Sequence, residues 1–217
     1  MKNVLVTGSS RGIGNAIFDL LEKSEGIEVI GTSTSGSKAS NNREFLQLDL
    51  SDSHSIRNFI SEPPFSNVDL LINNAGKLLE DWDNSEVNME QLKMTFSVNV
   101  FGTIELTERL LPIMKNGSHI INVSSNWGSF SDPKFDEFQP HYKMSKASLN
   151  MYSRLLAERV RDRNIIVSAF DPGWTKTDMG GSNANRSALE VAHELLNFIK
   201  SPVKTGKFWH RGKVREW

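Results

Sequence analysis

TGSSRGIG, residues 7–14, is the stretch whose reading decides the fold. It follows directly on NVLVT (3–7), a β-branched and apolar run, and residues 12–24 beyond it have helical periodicity. A strand, a glycine turn and an amphipathic helix in that order mark the start of a nucleotide-binding βα unit. Gly8 permits the tight turn. Missing side chains at Gly8, Gly12 and Gly14 let the backbone approach a pyrophosphate, and the helix N-terminus offers free N–H groups and a positive dipole end. The alternative is a glycine-rich turn with no ligand; its place straight after the first strand favours the nucleotide.

Working outward, short apolar runs recur at 27–33, 44–49, 68–73, 118–124, 165–170 and 206–210, with helical stretches near 12–24, 52–61, 86–115, 141–162 and 186–200. Continuous apolar runs suit parallel strands covered on both faces. The fold class expected is α/β: one Rossmann-type domain over 1–217, a doubly wound parallel sheet of about seven strands with helices on both faces. Such sheets bind ligands beyond the carboxyl ends of their strands. The chain has 217 residues, 38% hydrophobic and 24% charged, with a formal net charge of −1. That balance gives no support for broad electrostatic binding to nucleic acid or an anionic membrane. There is no cysteine, so neither a disulfide nor a thiolate metal site is possible, and the five histidines show no ligand spacing; no metal is expected. The N-terminal apolar run is too short for a signal peptide or a membrane span, and cytoplasm is the default.

The spacing G-x-x-x-G-x-G departs from the general G-x-G-x-x-G fingerprint, and TGSSRGIG resembles the cofactor loop of the short-chain dehydrogenase/reductase family. NNAG (73–76), NVSS (122–125), Tyr142-x-x-x-Lys146 and DPGWTKT (171–177) follow in the family's order, each after a strand. PGWTKTDMGG (172–181) and TGKFW (205–209) are similar to the carbonyl-reductase-like branch. The resemblance implies cofactor contacts from Gly8, Ser10, Arg11, Gly12, Ile13, Gly14, Asn74, Ala75 and Gly76. It adds Asp49 and Leu50 flanking the adenine, and Pro172, Gly173, Thr175 and Thr177 around the carboxamide. Asp49 alternatively begins a turn in DLSDS.

NADP(H) is expected over NAD(H). Where NAD-selecting members carry a carboxylate after the second strand, this chain has GTSTSGSK (31–38), with Ser33 and Thr34 able to bond a 2′-phosphate and Lys38 nearby. Arg11 resembles the basic residue of NADP-preferring members, and its planar donor fork suits a phosphate; the alternative is a solvated loop charge.

For a carbonyl reduction, something must protonate the developing alkoxide. A tyrosine titrates near 10 when free, and a nearby cation brings it down. Residues four apart share a helix face, so Tyr142 and Lys146 reach one site, although that spacing alone is common. The family resemblance implies Tyr142 as acid/base and Lys146 as both cofactor ribose ligand and tuner of the phenol. It implies Ser125, with Ser124 as rival, on the substrate oxygen, and Asn99 holding a water that links the lysine to solvent. The expected reaction moves a hydride between NADP(H) and a ketone or aldehyde, or the alcohol; the competing class is an NADP-binding redox sensor or signalling protein with little turnover.

Ser125 and Tyr142 are further apart than the family usually has them, so GSFSDPKFDEFQP (128–140) holds an insertion beside the substrate pocket. Its Asp132, Asp136 and Glu137 are expected to be solvated. His141 is expected at the pocket rim or surface. Trp127, Phe130 and Trp174 either line an apolar pocket or cap the core. SNANRS (182–187) leaves room for only a short lid, hence an open site of loose specificity. A homo-oligomer, dimer or tetramer, is expected through helices at 88–114 and 141–162.

Overall fold

The computed structural model describes residues 1–36, 44–62 and 66–217, and Lys38 lies outside them. Its main sheet has eight strands: β1 (Lys2–Val6), β2 (Ile27–Ser33), β3 (Leu46–Gln47), β4 (Val68–Asn73), β5 (Met114–Val123), β6 (Ile166–Phe170), β9 (Lys207–His210) and β10 (Lys213–Arg215). Their order is β10-β9-β6-β5-β4-β1-β2-β3, parallel throughout except for the β9–β10 hairpin. A separate two-stranded pair joins β7 (Thr175–Lys176) and β8 (Arg186–Ser187). The order reverses at β1, whose neighbours are β2 and β4, so a crevice opens beyond its carboxyl end.

Both faces of the sheet are covered. Val4, Val6, Ile72 and Ile121 pack against Ile17 and Leu21 of α1 (Gly12–Glu22) and Leu195 and Phe198 of α6 (Ala188–Lys200). Leu5, Leu71 and Ile120 face the other way, onto α2 (Ser53–Ser61), α4 (Thr103–Leu110) and α5 (Pro140–Arg159). Alternate residues of one strand thus feed two cores, which is why the strands read as unbroken apolar runs. Each fully buried Leu or Ile stabilises the fold by roughly 1.5–3 kcal/mol.

Register aligns the strand ends. Val6 pairs with Ile72, Ile72 with Ile121, Asn73 with Asn122 and Val123 with Phe170. The loops opening at Thr7, Asn74, Ser124 and Asp171 therefore leave the sheet at one level.

Three elements differ from the sequence expectation. The single helix read over 86–115 is α3 (Met89–Phe96), a π-helical turn (Ser97–Gly102) and α4, and β5 already begins at Met114. A Cβ on Gly102 would lie 1.9 Å from the Leu50 carbonyl oxygen, so the helix crosses the β3–α2 connection too closely for any other residue. The strand read over 44–49 shortens to two residues. Finally, Arg211 and Gly212 both take positive φ, 50° and 70°, a two-residue turn of the hairpin kind, and fold the tail back as β10.

Candidate active site

The glycine loop is built against the loop after β4. Gly8 and Gly12 have φ of 67° and 57°, the left-handed region where glycine is unstrained. A Cβ on Gly8 would sit 2.9 Å from Ala75 Cα, and one on Gly14 2.2 Å from the Gly8 oxygen and 2.4 Å from Asn74 Nδ2. Asn74 turns its side-chain amide onto the Thr7 and Gly8 carbonyls at 2.9 and 3.1 Å. Thr7 Oγ1 in turn accepts the Asn74 and Ala75 N–H groups, both at 3.0 Å. Asn74 and Ala75 thus hold the cradle's shape, and Ser10 and Ile13 belong to the loop and first helical turn above it.

Ser33 is buried at the end of β2, its Oγ without a hydrogen-bond partner among the described residues, and Thr34 follows in an exposed turn. An orphaned buried hydroxyl at a strand end can donate to an anionic oxygen placed beside it. Asp49 closes a turn: its carboxylate accepts Ser51 N–H and Oγ–H at 2.8 and 2.6 Å, the alternative the sequence left open. Leu50 is buried beside it. Arg11 pairs with Asp178 at 3.0 Å, the side chains 79% and 74% exposed. A pair that exposed is worth at most about 1 kcal/mol, so a phosphate can replace the carboxylate.

Beyond β6, Thr175 Oγ1 donates to the Gly173 oxygen at 2.9 Å and Gly180 N–H donates to Thr177 Oγ1 at 3.0 Å. Arg186 anchors the Pro172 carbonyl at 2.6 Å. A Cβ on Gly12 would lie 3.2 Å from Thr177 Cγ2, so this loop closes directly over the glycine turn. Asp171 begins it, buried, with Arg215 at 2.7 Å, His210 at 3.2 Å and the Gly173 N–H at 2.9 Å. Burial opposes its ionisation, yet His210, the Gly173 N–H and Arg215 outweigh that and hold the carboxyl below its usual range.

Tyr142 and Lys146 occupy one face of α5, the Lys146 Nζ 5.4 Å from the phenol ring centre and donating to the Val123 carbonyl at 2.9 Å. The turn after β5 presses onto this helix: a Cβ on Gly128 would meet the Lys146 carbonyl carbon at 2.6 Å. Ser124 Oγ is spent on Asn150 Oδ1 at 2.6 Å inside the core, whereas Ser125 is only half buried and accepts the Trp127 N–H at 3.2 Å. Asn99, on the π turn, bonds the Lys77 N–H at 2.7 Å, the Lys77 carbonyl at 2.8 Å and Ser145 Oγ at 3.0 Å. Gly76 lies between Asn99 and Lys146; a Cβ there would be 3.4 Å from Asn99 Oδ1 and 3.6 Å from Lys146 Nζ.

The phenol's electrostatics reverse the sequence expectation. Burial, then Asp171, then Glu80 push Tyr142 well above the usual tyrosine range, and burial pulls Lys146 down to about 8.

One further expectation is corrected. His141 is fully buried rather than at a rim, 3.0 Å from the buried Glu80 carboxylate, because α5 starts at Pro140 and its first turn is sunk under the loop after β4. Asp132 takes a 2.6 Å hydrogen bond from Asn126, and Asp136, its side chain 43% exposed, keeps contact with solvent while pairing with Lys143. Glu137 is exposed. The insertion is thereby stapled to both ends of the 126–143 segment.

An aromatic wall stands next to Tyr142. Trp127 meets its ring edge-on at 6.0 Å, and Trp82 contacts Trp127 at 5.8 Å and Trp174 at 6.0 Å. Phe130 points outward, 87% exposed. Trp82, Glu80, Asn150 and Asp171 were not singled out from the sequence; for the first two the only signal is an isolated LEDWD after the NNAG loop. Among the described residues no three His, Cys, Asp or Glu side chains could hold a metal ion, and no helix is long and apolar enough to cross a membrane.

The family model described as short chain dehydrogenase matches residues 2–188. The C-signal protein of Myxococcus xanthus is 32% identical over 155 residues, covering 69% of this chain and 93% of its own. Carbonyl reductase [NADPH] 1 of Mus musculus is 28% identical over 271 aligned positions, covering 98% and 97%. Among solved structures, NADPH-bound carbonyl reductase from chicken fatty liver superposes with a TM-score of 0.88 at 27% identity, covering 100% of this chain and 99% of that one.

Proposed function

The chain belongs to the short-chain dehydrogenase family, and from that premise we propose that it is an NADP(H)-dependent carbonyl reductase acting on ketones or aldehydes, and reversibly on the alcohols. The observation that carries the reading is convergence: Tyr142, Lys146, Asn99 and Ser125 come from α5, the π turn and the end of β5 to one place beside the glycine cradle. Bound NADPH supplies the hydride. The residues that fit it are the cradle at Gly8, Gly12 and Gly14, Ser33 and Thr34 with Arg11 for the 2′-phosphate, Asp49 and Leu50 beside the adenine, and Pro172, Gly173, Thr175 and Thr177 at the other end.

Within that frame Tyr142, held protonated by burial, donates its proton to the carbonyl oxygen, and the Ser125 hydroxyl donates a hydrogen bond to the same oxygen. Lys146, still mostly charged at neutral pH, stabilises the phenolate left behind. Asn99, with Lys77 fixed on both its amide atoms, holds the path by which the proton returns. Trp82, Trp127 and Trp174 offer an apolar wall to the substrate, and the short 182–187 segment leaves the pocket open. The mouse relative aligns over more positions than this chain has residues, so it carries segments absent here. Exposed Met144, Met151 and Leu155 on α5, beside Phe101 of the π turn, support a homodimer or tetramer through this face. The chain acts as one domain, in the cytoplasm.

The test is NADPH oxidation against a panel of aldehydes, ketones and diketones, with Tyr142→Phe as control. Turnover should fall by about 10²–10⁴ in the variant while NADPH still binds; equal rates would sink the mechanism. Similarity to a protein named C-signal keeps a signalling role as the second reading, favoured if NADPH binds and no carbonyl in the panel is reduced.

A further inference from the structure

The loop after β4 meets the start of α5 in a buried polar hub that no step above uses. The Glu80 and His141 side chains are both 0% exposed, with His141 Nδ1 3.0 Å from Glu80 Oε1. The same Glu80 oxygen accepts the Tyr142 backbone N–H at 3.1 Å. His141 Nε2 accepts the Asn88 N–H at 2.9 Å, and Asn88 caps α3 by accepting the Glu90 and Gln91 N–H groups. Because Nε2 is an acceptor, the neutral ring carries its proton on Nδ1, towards Glu80. A second ring proton would set two donors against each other at Nε2. The contact at Nδ1 lies off the N–H axis, and Glu80 Oε2 has no partner among the described residues.

The start of α5 needs this carboxylate. Gln139, at its N-cap, lies in the left-handed region with φ 49° and spends its side-chain amide on the Asp81 and Trp82 carbonyls. No side chain at the N-cap therefore serves the first-turn N–H groups, which the helix itself leaves unpaired; Glu80 serves that of Tyr142. A neutral glutamine would make the same hydrogen bond.

We infer that Glu80 is a positioning residue for Tyr142: its carboxylate fixes the first turn of α5 and supplies a buried negative charge that opposes phenolate formation. The inference rests on the acid–base role proposed for Tyr142. The charged groups facing that tyrosine are Lys146 from its own helix, Asp171 from the end of β6 with His210 and Arg215 behind it, and Glu80 from the loop after β4; His141 lies against Glu80. Asp171 and Glu80 both act against ionisation of the phenol, on top of burial.

Glu80→Gln keeps the acceptor and removes the charge. In the pH profile of kcat/KM for NADPH-dependent carbonyl reduction, the alkaline limb, to which Lys146 at about 8 and Tyr142 both contribute, should move to lower pH by about half a unit or more. A capping role alone leaves the limb in place. The chain has two tyrosines, so Tyr152→Phe makes tyrosinate absorbance report Tyr142 alone. In that background Glu80→Gln should bring the rise in absorbance to lower pH. Glu80→Asp, which keeps the charge, should retain the parental midpoint, and serves if the glutamine variant does not fold. An unmoved limb and midpoint in folded Glu80→Gln, or a lowered midpoint in Glu80→Asp, would overturn the inference. Absence of turnover in the parent on every carbonyl would instead defeat the proposed function, while the absorbance titration would still decide this point.

Discussion

Replacing Lys146 by methionine should change how the stability of the fold depends on pH, by an amount the structure sets. Lys146 is 3% exposed, and burial lowers it from 10.5 to about 8. At one unit per 1.36 kcal/mol, carrying this ammonium in the folded state costs roughly 3 kcal/mol at neutral pH. The sign follows from proton counts. Between about 8 and 10.5 the unfolded chain binds more protons at this site than the folded chain, so the parent gains stability as pH rises. Below about 8 both states are protonated and the cost is constant. Lys146→Met has no such rise. Its Val123 carbonyl loses a 2.9 Å donor, a penalty of about 1–3 kcal/mol that offsets part of the relief at pH 7. The quantity free of that offset is the change in the difference between the two proteins from pH 7 to pH 10, roughly 2.5 kcal/mol in favour of the parent. Urea unfolding followed by tryptophan fluorescence, without nucleotide, measures it. A difference that stays constant within about 0.5 kcal/mol across that range would refute the burial argument for Lys146.

Ser33→Asp should reverse the cofactor preference, since a carboxylate would face the 2′-phosphate where an orphaned hydroxyl now sits. The ratio of kcat/KM for NADPH over NADH should fall by about tenfold or more, a cost of at least about 1.4 kcal/mol, and an unchanged ratio would remove Ser33 from the phosphate site. Gly14→Ala should abolish nucleotide binding or folding, because its methyl would stand 2.2 Å from the Gly8 oxygen; NADPH affinity near the parental value would show that the cradle is looser than described.

What could be read from the sequence was what local chemistry and strand ends determine. The glycine loop, NNAG, Ser125, Tyr142 and Lys146 each sit within a few residues of a strand's carboxyl end or on a helix facing it, and the parallel register brings those ends to one level. Ser124 and Ser125 differ by what tertiary packing brings to them: Asn150, on the middle of α5, occupies the Ser124 hydroxyl, and no local signal in NVSS announces that partner. His141 was misplaced for a related reason. Helical periodicity separates it from Tyr142, but the side it faces is covered by the loop carrying Glu80, and nothing local announces that cover. The π turn that presents Asn99 was equally hidden, since it arises from the close crossing of Gly102 over Leu50.

The sequence pairing of Tyr142 with Lys146 suggested that the cation governs the phenol. The structure assigns the larger effect to burial, and burial acts oppositely on the two groups: it favours the neutral phenol and the neutral amine. Both shifts follow from the same dry pocket. In the mechanism proposed above, a proton on Tyr142 is thereby stabilised where reduction would consume it, while Lys146 is left close enough to neutrality to take part in returning it. Asp171 adds to the effect on the phenol, and its own ionisation is secured from behind by His210 and Arg215 of the terminal hairpin. In that mechanism the terminal hairpin would act on the acid–base pair through the charge it keeps in place, and neutralising Asp171 should ease ionisation of Tyr142, as is expected of neutralising Glu80.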